Sequence, residues 1–437
     1  MKITIAPLYF NPGRDDEFDL QVTHLKELFS DLAEFHDPVE LGTTIPQVDA
    51  VIFPQLLGEA FRKLGLIQKI QYPILIITSE FGTLSMWDWE IISYLRSEGV
   101  QTIAPYTLEQ ARHALRAIKV RKELTVAKVL VYQDNPGEGF QASIFKRFYW
   151  WEDECTQNIE RKFGVKIVKK SYQELAVKAG QIPDARAKSE IARLQPYSDL
   201  SACSLLSALK LYLALKDDFS KIPGVRAAGI NCLNESHFSD TTPCAAWNVL
   251  YEDEHLIWGC EADTVSILTK LIVHFSFDAP FMMTNLYPFL MGQAALKHEK
   301  IPNFPDIIEP ENHLLLAHCG YLGIVPQSFS TEWKLKPKVL SIVDENAHAI
   351  DARLPTGAIT LVKLSPDMET IHVIPGELVD YAQFPNSHCL NGGIIRVKDG
   401  HRLMRNLYSH HYILLSGDYV NDIELIAPIF KLKFEQF

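Results

Sequence analysis

Apolar positions along the first 125 residues switch between two periods. Lys2-Ile-Thr-Ile-Ala6, Asp49-Ala-Val-Ile-Phe53, Pro73-Ile-Leu-Ile-Ile77 and Val100-Gln-Thr-Ile-Ala104 are short runs of aliphatic residues, the pattern of strands buried on both faces. Between them, Phe18 to Phe35, Leu57 to Ile70, Leu84 to Glu98 and Leu108 to Glu123 carry helical apolar spacing, and Gly99 ends the third of these. A second series begins near residue 125. Its strands are Ala127 to Tyr132, Val165 to Val168, Ala227 to Asn231 and the strand-like Leu256 to Cys260. Its helices are Ser143 to Phe163, much of Gln181 to Asp218, Thr242 to Glu252 and Thr264 to Phe277. Strands alternating with helices predict mostly parallel sheets covered on both faces.

From about residue 300 the texture changes. Pro302, Pro305 and Pro310 interrupt the chain, and Leu314–Ala317, Ala358–Val362, Thr370–Ile374 and Gly393–Val397 follow as short β-rich runs. Closely spaced short strands predict a compact antiparallel barrel. Tyr412–Ser416 and Val420–Phe430 read as a last strand and helix. The expected α/β architecture is two doubly wound domains with largely parallel sheets, over 1–124 and 125–300, then a C-terminal β-barrel domain over 301–437.

Composition narrows the partners more than the fold. A chain of 437 residues has room for two or three domains. The formal net charge of -12 argues against nucleic acid as a general partner. Seven cysteines without a CxxC pair suit a reducing compartment. Met1 to Pro7 reads as a strand and not a signal peptide, and no apolar run is long enough to span a bilayer. A cytoplasmic protein without a membrane or nucleic-acid partner is expected.

Candidate chemistry sits at strand ends, where ligand sites of open α/β sheets gather. Asp263, in Gly259-Cys-Glu-Ala-Asp263, lies where a strand gives way to the helix from Thr264; as a lone residue it reads first as a helix N-cap. Glu235 occupies the equivalent loop one crossover earlier, before Thr241-Thr-Pro-Cys244; alone it reads as a solvated loop acid. Glu261 stands open as ligand, base or a residue facing away. His410-His411 precedes the strand from Tyr412, and alternation along extended chain lets one of the two face a site. His318, in Ala317-His-Cys-Gly320, is a further donor or a structural barrel histidine. Asn135-Pro-Gly-Glu-Gly139 has neither a Walker lysine nor GxGxxG spacing.

The order of these segments resembles the L-fucose isomerase and L-arabinose isomerase superfamily, and more closely its shorter fucose isomerase-like proteins, over most of the chain. Glu235 followed by Pro243-Cys244, Cys260-Glu-Ala-Asp263, Glu311 to Gly320 with its His318-Cys-Gly, and His410-His-Tyr412 with Gly417-Asp418 match the family's elements in sequence order. Two departures are Leu233-Asn234 where the family often has Trp-Pro, and Ala262 where it has glycine.

The resemblance implies Glu235, Asp263 and His411 as metal ligands, with Mn²⁺ the usual ion and Mg²⁺ or Co²⁺ as alternatives. It also implies an aldose–ketose isomerase working on a free pentose or 6-deoxyhexose through a cis-enediolate, assembled as a homo-oligomer. Glu235 and Asp263 are the expected proton-carrying carboxylates, and His318 is expected to bind substrate. A non-catalytic sugar-binding or regulatory protein on the same scaffold, or a carbohydrate epimerase or lyase, is the competing expectation.

Overall fold

The computed structural model describes residues 2–55, 58–77, 86–135, 152–232, 235–288, 307–318, 325–338, 346–383 and 391–437. The start of the helix expected from Ser143, most of the Asn135–Gly139 segment, Leu233-Asn234, Cys319-Gly320 and the first two residues of the helix expected from Leu84 lie outside the described residues. The chain divides into two compact units. The first comprises Met1–Thr125, Phe275–Asp278 and Asn421–Phe434; the second comprises Val126–His274, Ala279–Val420 and Glu435–Phe437.

In the first unit, strands β1 (Ile3–Tyr9), β2 (Ala33–Phe35), β3 (Val39–Glu40), β4 (Ala50–Phe53), β5 (Ile74–Ile76) and β6 (Thr102–Ile103) form a parallel sheet in the order β2-β1-β4-β5-β6, with β3 on the outer part of β1. Leu8, Val51, Phe53, Ile74 and Ile76 pack beneath Ile92 and Leu95 of the helix Met86–Ser97. The helical period starting at Phe18 ends at Leu28, because Phe29 turns the chain and Ala33–Phe35 pairs with β1 instead. Buried His113 is tied to Asp422, Nδ1 to Oδ1 2.8 Å, so residues far apart in sequence complete this unit.

In the second unit, β7 (Lys128–Tyr132), β8 (Lys166–Lys170), β9 (Val225–Ile230) and β10 (Ile257–Cys260) make a parallel sheet of order β10-β9-β7-β8. Six antiparallel strands close a barrel: β11 (Phe281–Pro288), β12 (His313–Ala317), β15 (Gly357–Leu364), β16 (Thr370–Ala382), β17 (Gly392–Arg396) and β18 (His411–Ser416). Their ring order is β15-β18-β11-β12-β17-β16, and β16 returns to β15. Closure leaves each of these strands hydrogen-bonded on both sides. Among the described residues no helix is long and apolar enough to cross a membrane.

A hairpin absent from the sequence expectations, β13 (Glu332–Pro337) with β14 (His348–Arg353), lies outside the barrel. His348 anchors it: its Nε2 accepts the Ala245 amide at 3.0 Å, and the Thr242 hydroxyl bonds its carbonyl. Burial pushes this imidazole down to about 4. The unfolded chain therefore binds the extra proton between about pH 6.5 and pH 4, and stability falls as pH falls through that window. This group alone should make the protein about 2 kcal/mol less stable at pH 5 than at pH 7. Urea unfolding at both pH values should show that slope reduced in His348→Gln; equal slopes in the two proteins would remove His348 as its source.

Candidate functional site

The carboxyl ends of β7, β9 and β10 bring three loops to one rim. Ile230 and Cys260 are in register, and the Ala262 amide donates back to the Ile230 carbonyl at 3.2 Å. The turn after β10 is tight. Glu261 and Ala262 both have left-handed backbone, φ 54 and 57, costing roughly 1–2 kcal/mol per residue without glycine. Gly259 permits the close approach of the following helix, since a Cβ there would meet Ile267 Cγ1 at 2.4 Å. This turn fixes Glu261 and Asp263 on the buried side of the rim, where they are 5% and 0% exposed.

Asp263 is the N-cap that its sequence position suggests, and more. Its Oδ1 accepts the Ser266 amide at 2.8 Å. Its Oδ2 accepts from the Ser266 hydroxyl at 2.7 Å, from Lys363 Nζ at 2.8 Å and from His411 Nδ1 at 3.0 Å. Three donors crowd Oδ2, while Oδ1 accepts the Ser266 amide. Burial works against the charge, but the Lys363 ammonium and the His411 bond hold this carboxyl well below the usual range. Lys363 itself, on β15, is 2% exposed; burial pulls its ammonium down although Asp263 opposes this.

His411 faces the other way with its second nitrogen, Nε2, 3.6 Å from Glu261 Oε1. Barrel register explains the neighbours. Asn285 of β11 pairs with Ala317 on one side and His411 on the other, so His318, next after Ala317, stacks on His411 with ring centroids 5.4 Å apart and planes 11° apart. His410 precedes β18 in a bend, which frees it from strand alternation; its ring lies 4.1 Å from that of His411. Glu261, His410 and His411 each offer a ligand atom within 4.8 Å of the others. Burial would raise the Glu261 carboxyl, but His411, His318 and His410 together hold it well below its usual range. Burial and the neighbouring His411 push His410 down to about 3, which keeps its lone pair available at neutral pH.

Glu235 stands on the same rim, in the loop after β9, and is fully buried. Its Oε1 accepts the Asn135 amide at 2.7 Å. Its Oε2 has no hydrogen-bond partner among the described residues. Burial raises this carboxyl above its usual range, with the Asn135 amide opposing.

Of the sequence candidates, the structure thus joins Asp263 and His411 directly. It sets Glu261, His410 and His318 around His411 and holds Glu235 on Asn135. Lys363 and Lys270 were not among the sequence candidates. Lys270 is wholly buried, donating to the Trp258 carbonyl at 2.8 Å and lying 4.3 Å from the Trp258 ring; burial pushes it down to about 7. Its position in the apolar run Thr264-Val-Ser-Ile-Leu-Thr-Lys-Leu-Ile-Val-His-Phe275 was the available signal, because a helix apolar on every side buries whatever it carries.

No family model matches the chain, and no curated protein matches it. Among solved structures, a LacI family transcription regulator from Clostridium acetobutylicum aligns with 55% of this chain and 82% of its own, at 11% identity. The TM-score of 0.15 is too low for that likeness to carry any argument.

Proposed function

We propose that the chain is a metal-dependent aldose–ketose isomerase for a free pentose or 6-deoxyhexose, working as a homo-oligomer. The observation that supports this most is the set of one carboxylate and two imidazoles, buried Glu261 and His411 with half-buried His410, in which Asp263 orients His411 from behind. A carboxylate bonded to the far nitrogen of an imidazole fixes its tautomer and aims the near nitrogen, the arrangement that supports metal-ligating histidines. The donor set fits a cation such as Mn²⁺ or Co²⁺ better than a thiolate-rich zinc site. Such a cation would polarise the sugar's carbonyl and make the hydrogen on the adjoining carbon more acidic.

The residues of the chain do the rest. Asp263 bonds His411 Nδ1 and leaves Nε2 to face Glu261. Glu235, with a carboxyl raised by burial and an Oε2 without a hydrogen-bond partner among the described residues, carries the proton between the two carbons, a task that favours a base titrating closer to neutrality. His318, stacked on His411, orients a substrate hydroxyl. In this reading Asp263 supports the metal set and Glu261 replaces it as a ligand, because Glu261 belongs to the converging ligand atoms while Asp263 Oδ2 is engaged by Ser266, Lys363 and His411.

The test is to strip divalent ions, restore Mn²⁺, and screen pentoses and 6-deoxyhexoses in deuterated buffer. Ketose formation with deuterium at the carbon next to the carbonyl is expected for at least one sugar, only with the cation present. Neither turnover nor carbon-bound exchange on any sugar would leave a non-catalytic binder as the better description.

A further inference from the structure

The first unit holds a groove that shares no residue with the site described above. This groove of about 780 Å³ runs along the outer edge of β6, between the helix Met86–Ser97 and the returning segment Asn421–Phe434, all within that unit. Trp89 and Tyr106 line it with rings partly open to solvent, 37% and 70% exposed. Their centroids are 6.3 Å apart and their planes tilted by 40°. Thr102 lies in the lining, 3% exposed, and its hydroxyl has no hydrogen-bond partner among the described residues. A buried hydroxyl without a partner costs free energy that a bound ligand can recover.

The polar groups select the class of ligand. Arg96 and Glu424 bring one charge of each sign, and Gln110 adds an amide whose Oε1 is already engaged by the Tyr106 backbone. Among the described residues the lining offers one cation balanced by a carboxylate and no cluster suited to a phosphate or other strong anion. Flat aromatic faces beside mixed donors and acceptors suit a neutral ring that is apolar on one face and hydroxylated around its edge. We propose that this groove binds a free, uncharged monosaccharide, stacked on Trp89 and Tyr106, with Thr102, Arg96 and Glu424 bonding its hydroxyls. The site is independent of the isomerase reading and stands or falls without it.

The experiment uses the full-length chain carrying Glu261→Gln, so that turnover does not consume the probe. Isothermal titration with D-xylose, L-arabinose, L-fucose and D-glucose should give saturable binding for at least one sugar. Adding Trp89→Ala, or separately Glu424→Gln, should weaken that binding at least tenfold while the thermal midpoint stays unchanged. Both side chains are on the surface, so neither change should threaten folding. Unaltered affinities for every sugar in both variants would overturn the proposal. So would sedimentation showing that Trp89→Ala dissociates an oligomer, which would make the groove a contact between copies of the chain. Groove-dependent binding, together with no turnover or carbon-bound exchange by the unsubstituted, Mn²⁺-loaded protein, would uphold this site and refute the isomerase reading.

Discussion

Replacing Lys363 with methionine should destabilise the protein by about 3–5 kcal/mol, the usual penalty for removing one partner of a buried ion pair. Lys363 supplies the only ammonium bonded to Asp263 among the described contacts, and it also donates to the Ser266 hydroxyl at 2.6 Å. Without it, the carboxylate keeps Ser266 and His411 but loses its full positive countercharge. The pH dependence carries the signature. In the natural protein the depressed Asp263 carboxyl contributes stability that is present above its unfolded value near 3.9 and is lost as pH falls through the lower folded value. In the variant that carboxyl takes up its proton at higher pH, which relieves the unpaired charge. The gap between the two proteins should therefore narrow as acid is added. Urea denaturation from pH 7 to pH 3 measures it, and Asp263→Asn with Lys363→Met should recover much of the loss. A double variant no more stable than Lys363→Met would show that the ion pair is not the cause.

Glu261→Gln should abolish carbon-bound deuterium exchange and weaken Mn²⁺ binding by more than 100-fold, whereas Asp263→Asn should weaken it by about 10–100-fold, the range found when a supporting residue behind a ligand is lost. The ranking follows from geometry. Glu261 faces His411 Nε2 and belongs to the set of converging ligand atoms, while Asp263 is occupied by Ser266, Lys363 and His411. Glu235→Gln should spare cation binding and remove exchange, separating the proton carrier from the ligands. Equilibrium dialysis with Mn²⁺ reads the binding, and proton NMR of the sugar reads the exchange. Tight Mn²⁺ binding retained by Glu261→Gln and lost by Asp263→Asn would return the ligand role to Asp263.

The sequence made the layers of this protein easier to read than its site. Runs such as Ile74–Ile76 and Lys128–Tyr132 are buried on both faces, so their continuous apolar character identified them as parallel strands. Glu332–Pro337 alternates exposed and buried positions over its first four residues, Glu332 to Leu335, yet its lysines and terminal proline disguise it as loop. The rim loops could be placed because each follows a strand. What they touch depends on the barrel. Lys363 closes an apolar strand, where a lysine ordinarily reaches solvent, and only the pairing of β15 with β18 brings it under Asp263. Strand alternation predicts that one of His410 and His411 faces the site, but the bend at His410 sets both rings side by side.

The discontinuous first unit imposes an order on biosynthesis. Its sheet is encoded before Thr125, but Asp422, the partner of His113, belongs to the segment Asn421–Phe434. At about 5–20 residues per second on the ribosome, roughly tens of seconds separate the emergence of these two pieces. During that interval His113 and the surface destined for the returning segment wait without their final cover. A nascent chain stalled short of Asn421 should remain sensitive to protease in its first 125 residues, and release of the last stretch should close the oldest part of the molecule.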